Sequence, residues 1–144
     1  MKKVLEYRNC FVCGKESKIG LKVNFEITET GARASYTSGE EFEGFKGVVH
    51  GGILCALLDE IMWKSINGQT GSITMTAKME VRFKKPALMG IPMVIEGTVL
   101  NRKRNFFEAK GVISDSEGDV IAEATGLFKE LDAENSARLA ESLE

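Results

Sequence analysis

A single apolar helix, set between segments whose alternation predicts strands, constrains the fold of this chain more than any other feature. Apolar residues recur with helical spacing over His50–Asn67, and Asn67-Gly68 is a typical helix-end signal. The predicted strands are 21–27, 32–36, 72–84, 93–100, 106–113 and 120–131. Because 72–84 is long for a strand, we expect a curved sheet. The order predicts an α+β fold, with a curved antiparallel sheet laid against one helix.

Length and charge limit the class of protein. The 144 residues suit one domain, 1–144, with a polar lead-in at 1–20 and a polar helix or tail at 132–144. A net charge of −2 gives no basic field for nucleic acid or an anionic membrane. The longest apolar run, Ile53–Leu58, is too short to cross a bilayer. With three cysteines and no apolar stretch after the basic start, we expect no secretory signal and a cytoplasmic protein.

The start of the helix combines three features that point to chemistry. His50 is the only histidine, Gly51-Gly52 open the helix, and Asp59 lies about two turns inside it. A helix start presents unpaired N–H groups and a positive dipole end, which suit a developing negative charge. Each feature alone has a structural explanation: a cap, a close packing contact, or a paired acid. Their combination favours a catalytic site.

The helical periodicity assigns different environments to two adjacent acids. At 100° per residue, Glu60, Lys64 and Asn67 share one arc, which predicts a solvent-exposed stripe. Asp59 lies about 100° from Glu60. Its neighbours on that face are all apolar: Cys55, Met62, Trp63 and Ile66. A buried acid without an evident partner is expected to have a function, so Asp59 is the main catalytic candidate.

The separation of Gly51 and Asp59 predicts a dimer. The two residues are about 12 Å apart along one helix axis. A reacting carbonyl must lie about 3 Å from its N–H donor and also within reach of the carboxylate. One helix cannot meet both conditions, whereas two antiparallel copies can. We therefore expect a homodimer with two equivalent sites.

The residues around this segment resemble those of a known family. Gly44-Phe45-Lys46-Gly47-Val48-Val49-His50-Gly51-Gly52, followed by Asp59, is similar to the hotdog-fold acyl-CoA thioesterases of the phenylacetyl-CoA type. The likeness continues through 79–87 and 118–126, and Cys10-Phe11-Val12-Cys13-Gly14 resembles the lead-in of one subgroup. It covers about Cys10 to Lys129. The resemblance implies a hotdog fold, with a sheet wrapped around the helix and chains paired into dimers and often tetramers.

The resemblance also implies roles for individual residues. Asp59 would attack a thioester or activate water, and both roles suit a carboxylate. The N–H of Gly51 would polarise the thioester oxygen, and the hydroxyl of Thr76 would orient the water or the acid. Many relatives carry asparagine or glutamine near the position of Gly44, where this chain has no side chain. Either the role of that side chain is lost here or another group supplies it, with His50 as the candidate.

Substrate contacts are predicted from charge and apolarity. Basic residues suited to coenzyme A phosphates are Arg102, Lys103 and Arg104 at a hairpin tip, and Arg82 with Lys84 and Lys85. Candidate acyl contacts are Gly52, Phe45, Phe42, Met62 and Trp63. Solvated turns and ordinary core positions remain the alternative interpretation of both sets. No glycine-rich phosphate loop or dinucleotide motif is present, so we expect no cofactor.

Cys10 and Cys13 have the spacing of half a zinc site. A structural zinc site needs about four ligands, and only Cys55 and His50 remain as soft donors. We therefore expect a reduced structural pair and no metal. A four-cysteine site shared by two chains is an alternative, and thioredoxin-like redox activity is less favoured because no βαβ pattern surrounds the pair.

Three functions remain in competition. The first is hydrolysis of an acyl-CoA or related thioester. The second is an acyl-CoA-binding hotdog module without turnover, which the missing side chain at Gly44 favours. The third is a hotdog hydratase or dehydratase, in which His50 would act as acid or base and Asp59 would matter less.

Overall fold

A computed structural model describes residues 3–144, so the first two positions of the predicted lead-in lie outside it. The strands are β1 (Phe25–Ile27), β2 (Gly31–Tyr36), β3 (Thr74–Phe83), β4 (Met93–Lys103), β5 (Phe106–Ser114) and β6 (Val120–Glu130). The helices are α1 (Gly51–Thr70) and α2 (Ala133–Ala140), and a 3₁₀ turn spans Glu40–Phe42. This is the predicted α+β order.

The strands form one sheet in the order β1-β2-β4-β5-β6-β3, and every neighbouring pair is antiparallel. The helix α1 packs against one face of this sheet, which is called the helix-facing side below. Its residues Leu57, Leu58 and Ile61 are fully buried. Because β3 is at one edge of the sheet, its own helix-facing side is only partly covered by α1.

Close approach of α1 to the sheet depends on glycine. Gly97 of β4 pairs with Gly111 of β5, and both lie beneath Ile61. A Cβ built on Gly97 would be 2.3 Å from Ser65 Oγ and 2.8 Å from the Ile61 carbonyl oxygen. No side chain fits there without moving the helix.

The helix extends beyond its predicted end, so the prediction of a stop at Asn67-Gly68 was wrong. Gly68 remains helical because its missing side chain leaves room for Ile27, whose Cδ1 would be 2.4 Å from a Cβ built on Gly68. The helix ends instead at Gly71, which has φ +78° and donates its N–H to the Asn67 carbonyl. A glycine that serves packing therefore precedes the glycine that ends the helix.

The first predicted strand is shorter than expected. Residues 21–24 lie outside the sheet, and Lys22 adopts a positive φ of 55° that interrupts the extended backbone. Leu21 and Val23 instead donate their N–H groups to carbonyls of the lead-in, at Phe11 and Val12. The lead-in is therefore packed against the domain, which affects the exposure of α1.

Neither helix of residues 3–144 is long and apolar enough to cross a membrane.

Candidate functional site

Asp59 of α1 and Thr76 of β3 are in direct contact. The Thr76 hydroxyl donates a 2.6 Å hydrogen bond to Asp59 Oδ1. Among residues 3–144, no group contacts Oδ2 within hydrogen-bonding distance, so this oxygen is available to a water molecule or a substrate. The structure thus brings together two of the predicted catalytic residues.

An irregularity in β3 aims Thr76 at the helix. The register with β6 shifts between Thr76 and Lys78, so that Thr76 pairs with the buried Phe128 and Lys78 with the exposed Leu127. Ala77 is the extra residue of a β-bulge. Strict alternation would have placed Thr76 on the outer face with Lys78, and the bulge reverses this. It also leaves Met75 exposed, which the predicted alternation placed on the apolar face.

Trp63 fixes the start of β3 beside Asp59. Its indole N–H donates to the Thr74 carbonyl at 2.9 Å. Trp63 lies one helical turn after Asp59, so successive turns of α1 hold Thr74 and Thr76. Asp59 and Trp63 line a cleft of about 180 Å³, whose other walls are Leu5, Tyr7, Cys10, Cys13, Glu60, Lys64 and Leu143.

The helix start has a capped and an uncapped N–H. His50 is the N-cap, and its Nδ1 accepts a 2.8 Å bond from the Gly52 N–H. A neutral imidazole that accepts at Nδ1 carries its proton on Nε2. The N–H of Gly51 has no acceptor among the described residues. Of the first two N–H groups of the helix, the one without an acceptor among the described residues is therefore that of Gly51.

His50 also occupies the space beside Gly44. A Cβ built on Gly44 would be 3.1 Å from His50 Cα and 3.5 Å from His50 Cδ2. A larger side chain at position 44 would crowd the imidazole in this arrangement. The side chain of His50 therefore fills the space at the helix entrance that a side chain at position 44 would need.

The predicted contrast between the two adjacent acids is absent from the structure, where both are partly buried. Asp59 is half-buried and hydrogen-bonded to an exposed threonine, rather than enclosed by apolar side chains. Lys64 is only 2% exposed, and Glu60 and Asn67 are also largely covered. The prediction of a solvent-exposed stripe was wrong because the lead-in covers it: Lys64 Nζ donates to the Leu5 carbonyl.

Glu60 belongs to a compact cluster with the cysteines of the lead-in. Its Oε2 is 3.6 Å from Cys10 Sγ and 3.7 Å from Lys64 Nζ, which is also 3.4 Å from Cys13 Sγ. Burial, with a smaller contribution from Cys10, raises the pKa of Glu60 to about 7. A hydrogen bond from Cys13 lowers the pKa of Cys10 to about 5, and the same bond together with burial raises the pKa of Cys13.

Sequence reasoning missed this cluster because its members are distant in the chain. The available signal was the favourable i,i+4 spacing of Glu60 and Lys64, together with two cysteines in need of a partner. Nothing in the local pattern indicates that the lead-in folds back onto α1.

The basic candidates lie at opposite ends of the sheet. Arg102 lies in the same row of paired residues across the sheet as Thr76, three strands or about 14 Å away. Its guanidinium lies over the Phe107 ring and forms an ion pair of 3.0 Å with Glu130. Lys103 and Arg104 are exposed beside it, at the β4–β5 turn. Arg82 is on the outer face, about 20 Å along β3 from Thr76. Near that end, Lys84 and Lys85 form ion pairs with Glu123, Asp115 and Asp119.

The apolar candidates are divided between surface and core. Phe45 is 85% exposed, and Gly52 is exposed at the helix entrance. Phe42 packs edge-on against Phe11. Contrary to the prediction, Met62 does not line the cleft: it is 0% exposed because it fills the space over Gly126. Trp63 alone of this set lines the cleft beside Asp59.

Comparison with known proteins identifies the class of this domain. Residues 46–122, which include the helix entrance, Asp59 and Thr76, match the thioesterase superfamily. The chain belongs to the thioesterase superfamily.

Particular relatives support this assignment. The chain is 31% identical to acyl-coenzyme A thioesterase THEM4 of Bos taurus over 103 residues, which is 71% of this chain and 42% of that protein. The chain therefore spans about two fifths of the length of this curated relative. A crystal structure of a thioesterase superfamily protein shares 27% identity and a TM-score of 0.80, covering 85% of this chain and 61% of that one.

Two more distant structures share the fold. The E. coli PaaI protein from the phenylacetic acid degradation operon has a TM-score of 0.72 at 18% identity, covering 78% of this chain and 81% of that one. A hypothetical thioesterase from Streptococcus pneumoniae, solved with coenzyme A, has a TM-score of 0.71 at 17% identity, covering 76% and 85%. The fold of this chain is the expected hotdog fold.

Proposed function

We propose that the protein hydrolyses an acyl-CoA or related thioester to a free acid and a thiol. The observation that carries this proposal is the hydrogen bond from Thr76 to Asp59 Oδ1, which leaves Oδ2 available at the wall of a cleft. Water adds to the thioester carbonyl, the C–S bond breaks, and the thiol leaves with a proton. Asp59 either accepts the proton of that water or forms an acyl intermediate that water then hydrolyses.

The oxyanion donor in this proposal is the Gly51 N–H of a second copy. Gly51 and Asp59 are on one continuous helix, about 12 Å apart, so one chain cannot present both to the same carbonyl. Two α1 helices side by side and antiparallel bring the free N–H of each to the carboxylate of the other. The helix dipole adds to the stabilisation of the oxyanion.

Exposed apolar residues support pairing of two copies. At the end of β3 beside Gly51, Phe83 is 57% exposed, and Phe45 and Leu88, on the two segments joined by the Val48–Leu88 bridge, are 85% and 55% exposed. Met75, at the other end of β3 and on its outer face, is 58% exposed. Large exposed apolar side chains that cluster at an edge strand commonly mark an interface. We propose a homodimer, or a pair of such dimers, with two sites per dimer.

This pairing also accounts for the two basic groups. In one chain, the Arg102-Lys103-Arg104 turn is at the Asp59 end of β3, and Arg82 is near the opposite end. An antiparallel copy brings the opposite end of its own β3 towards the first chain's Asp59 end. Both groups then flank one site, where they serve the phosphates of coenzyme A. The name of the cattle relative and the coenzyme A complex of the Streptococcus pneumoniae protein agree with this substrate class.

We further propose that residues 1–144 act as one hotdog domain in the cytoplasm. All three cysteines are free thiols, which suits a reducing compartment.

The test is thiol release from a panel of short, long and aromatic acyl-CoAs. We expect Asp59→Asn to reduce kcat at least a hundredfold, because a neutral amide neither removes a proton nor attacks a thioester. Asp119→Asn, at an exposed turn, is the matched control and should retain full activity. Equal rates for wild type and Asp59→Asn would refute the proposal.

A non-catalytic acyl-CoA-binding module is the second candidate, and the crowding of position 44 by His50 favours it. It predicts saturable acyl-CoA binding with no turnover of any substrate. A hydratase or dehydratase instead requires His50 as acid or base. Loss of turnover in His50→Ala with retention in Asp59→Asn would select that activity.

A further inference from the structure

The cluster of Cys10, Cys13 and Glu60 has the composition of a metal site. Two thiol sulfurs from the lead-in and one carboxylate from α1 have ligand atoms that all lie within 4.8 Å of one another. The two cysteines alone supply half of a zinc site, and the fold supplies Glu60 as a third ligand from a distant position in the chain. Thiolate and carboxylate oxygen are both established zinc ligands.

The separation of these atoms suits a small tetrahedral ion. Zinc binds sulfur at about 2.3 Å and carboxylate oxygen at about 2.0–2.2 Å, so a tetrahedral angle places the two ligands about 3.6 Å apart. Cys10 Sγ and Glu60 Oε2 are 3.6 Å apart. Binding therefore requires little movement of this pair.

The charges of the cluster also suit a divalent cation. Two thiolates and one carboxylate carry three negative charges, and Lys64 contributes one positive charge at 3.4 Å from Cys13 Sγ and 3.7 Å from Glu60 Oε2. A dication makes the buried group neutral. Lys64 then serves as an outer hydrogen-bond donor to the ligands, the arrangement that orients ligands in many metal sites.

We propose that Cys10, Cys13 and Glu60 bind one zinc ion per chain. The fourth position faces the cleft of about 180 Å³ and is filled by a water molecule. The ion joins the lead-in to α1 at the residue directly after Asp59, and so fixes one wall of that cleft. Metal binding is independent of the proposed hydrolysis and is measured without it.

The test measures metal content directly in the full chain. Protein purified under reducing conditions is incubated with zinc, passed over a chelating resin and analysed by elemental mass spectrometry. We expect about one zinc per chain. After replacement of zinc with cobalt, ligation by two thiolates should give sulfur-to-cobalt charge-transfer absorption in the near ultraviolet. Tetrahedral geometry should also give absorption bands of the cobalt ion itself in the visible range.

Variants separate this site from adventitious binding. Cys10→Ser, Cys13→Ser and Glu60→Gln should each weaken zinc binding at least tenfold in competition with a chromophoric chelator. Cys55→Ser is the matched control, since Cys55 is a free thiol of α1 outside the cluster, and it should bind as wild type does. If the serine variants fail to fold, the cobalt spectrum of the wild type and the zinc affinity of Glu60→Gln still show whether the cluster binds the metal.

Three results would overturn the proposal. The first is a wild-type protein that retains less than about a tenth of an equivalent of zinc in its reduced form. The second is loss of zinc in Cys55→Ser to the same extent as in Cys10→Ser. The third is a Cys10–Cys13 disulfide in place of metal, which would make the pair a redox device.

Discussion

At the scale of single residues, Asp59 and Glu60 show how far helical periodicity predicts function. The pattern separates Asp59 from Glu60 on the helix surface, and in the structure Asp59 is the acid that accepts a hydrogen bond from Thr76. It assigns burial wrongly to both, since exposure depends on the lead-in and on the edge of the sheet. Spacing along one helix predicts the direction in which each side chain points. The solvent exposure of that side chain depends on whether a distant segment of the chain covers it.

The hydroxyl of Thr76 has a testable role as a positioning group. Thr76→Val keeps the shape and removes the donor to Asp59, whereas Thr76→Ser keeps the donor. Hydrogen bonds to charged groups contribute about 1.5–3 kcal/mol, and partial exposure places this one at the low end. We expect Thr76→Val to lower kcat about tenfold with little change in KM, and Thr76→Ser to stay within about threefold of wild type. Equal losses in both variants would indicate a packing role instead.

At the scale of elements, order and type were predictable and endings were not. The predicted strands and the helix are all present, since each shows a clear period of two or of 3.6. The helix continues past Gly68 because that glycine makes room for Ile27, and the bulge at Ala77 exchanges the faces of Met75 and Thr76 at the start of β3. Both departures come from tertiary contacts that a local pattern does not contain.

The contact between α1 and the sheet makes Gly97 a sensitive position. In Gly97→Ala the new Cβ meets Ser65 Oγ and the Ile61 backbone, whereas in Gly111→Ala it meets side-chain atoms of Ile61 and Leu58 at 3.1–3.2 Å. Overpacking of a core costs about 1–3 kcal/mol, and rigid backbone places Gly97→Ala at the upper end. We expect urea unfolding to show a clearly larger loss of free energy for Gly97→Ala. Equal losses would mean that α1 shifts freely.

At the scale of the whole molecule, each chain carries two incomplete halves of the proposed site. The Gly51 N–H and the Asp59 carboxylate are at different points of one helix, and the apolar side of β3 is only partly covered in a single chain. The separation of the two residues was predictable from sequence, because it needs only the rise of a helix. The position of the basic turn in the same row as Thr76 was not, because it depends on the strand order across the sheet.

A complementation experiment tests whether two chains share one site. Asp59→Asn disables one half, and Gly51→Pro disables the other by removing the N–H. Proline is well tolerated at the first position of a helix. The preceding His50 already has φ −59° and ψ 135°, which a following proline favours. A Cβ at position 51 would lie 3.6 Å from the Phe83 ring, an ordinary contact.

Each variant alone should be inactive whether the site is shared by two chains or built within one. Only a mixture of the two variants distinguishes these arrangements. When the two variants are co-expressed, about half of the dimers are mixed by random pairing. If the site is shared, one of the two sites in a mixed dimer has both native groups, and about a quarter of wild-type activity returns. If each site is built within one chain, every site in the mixture carries one defect and activity stays at the level of the single variants. The measurement is kcat per chain after co-purification on two different affinity tags, which isolates the mixed dimer and raises the expected value to about half.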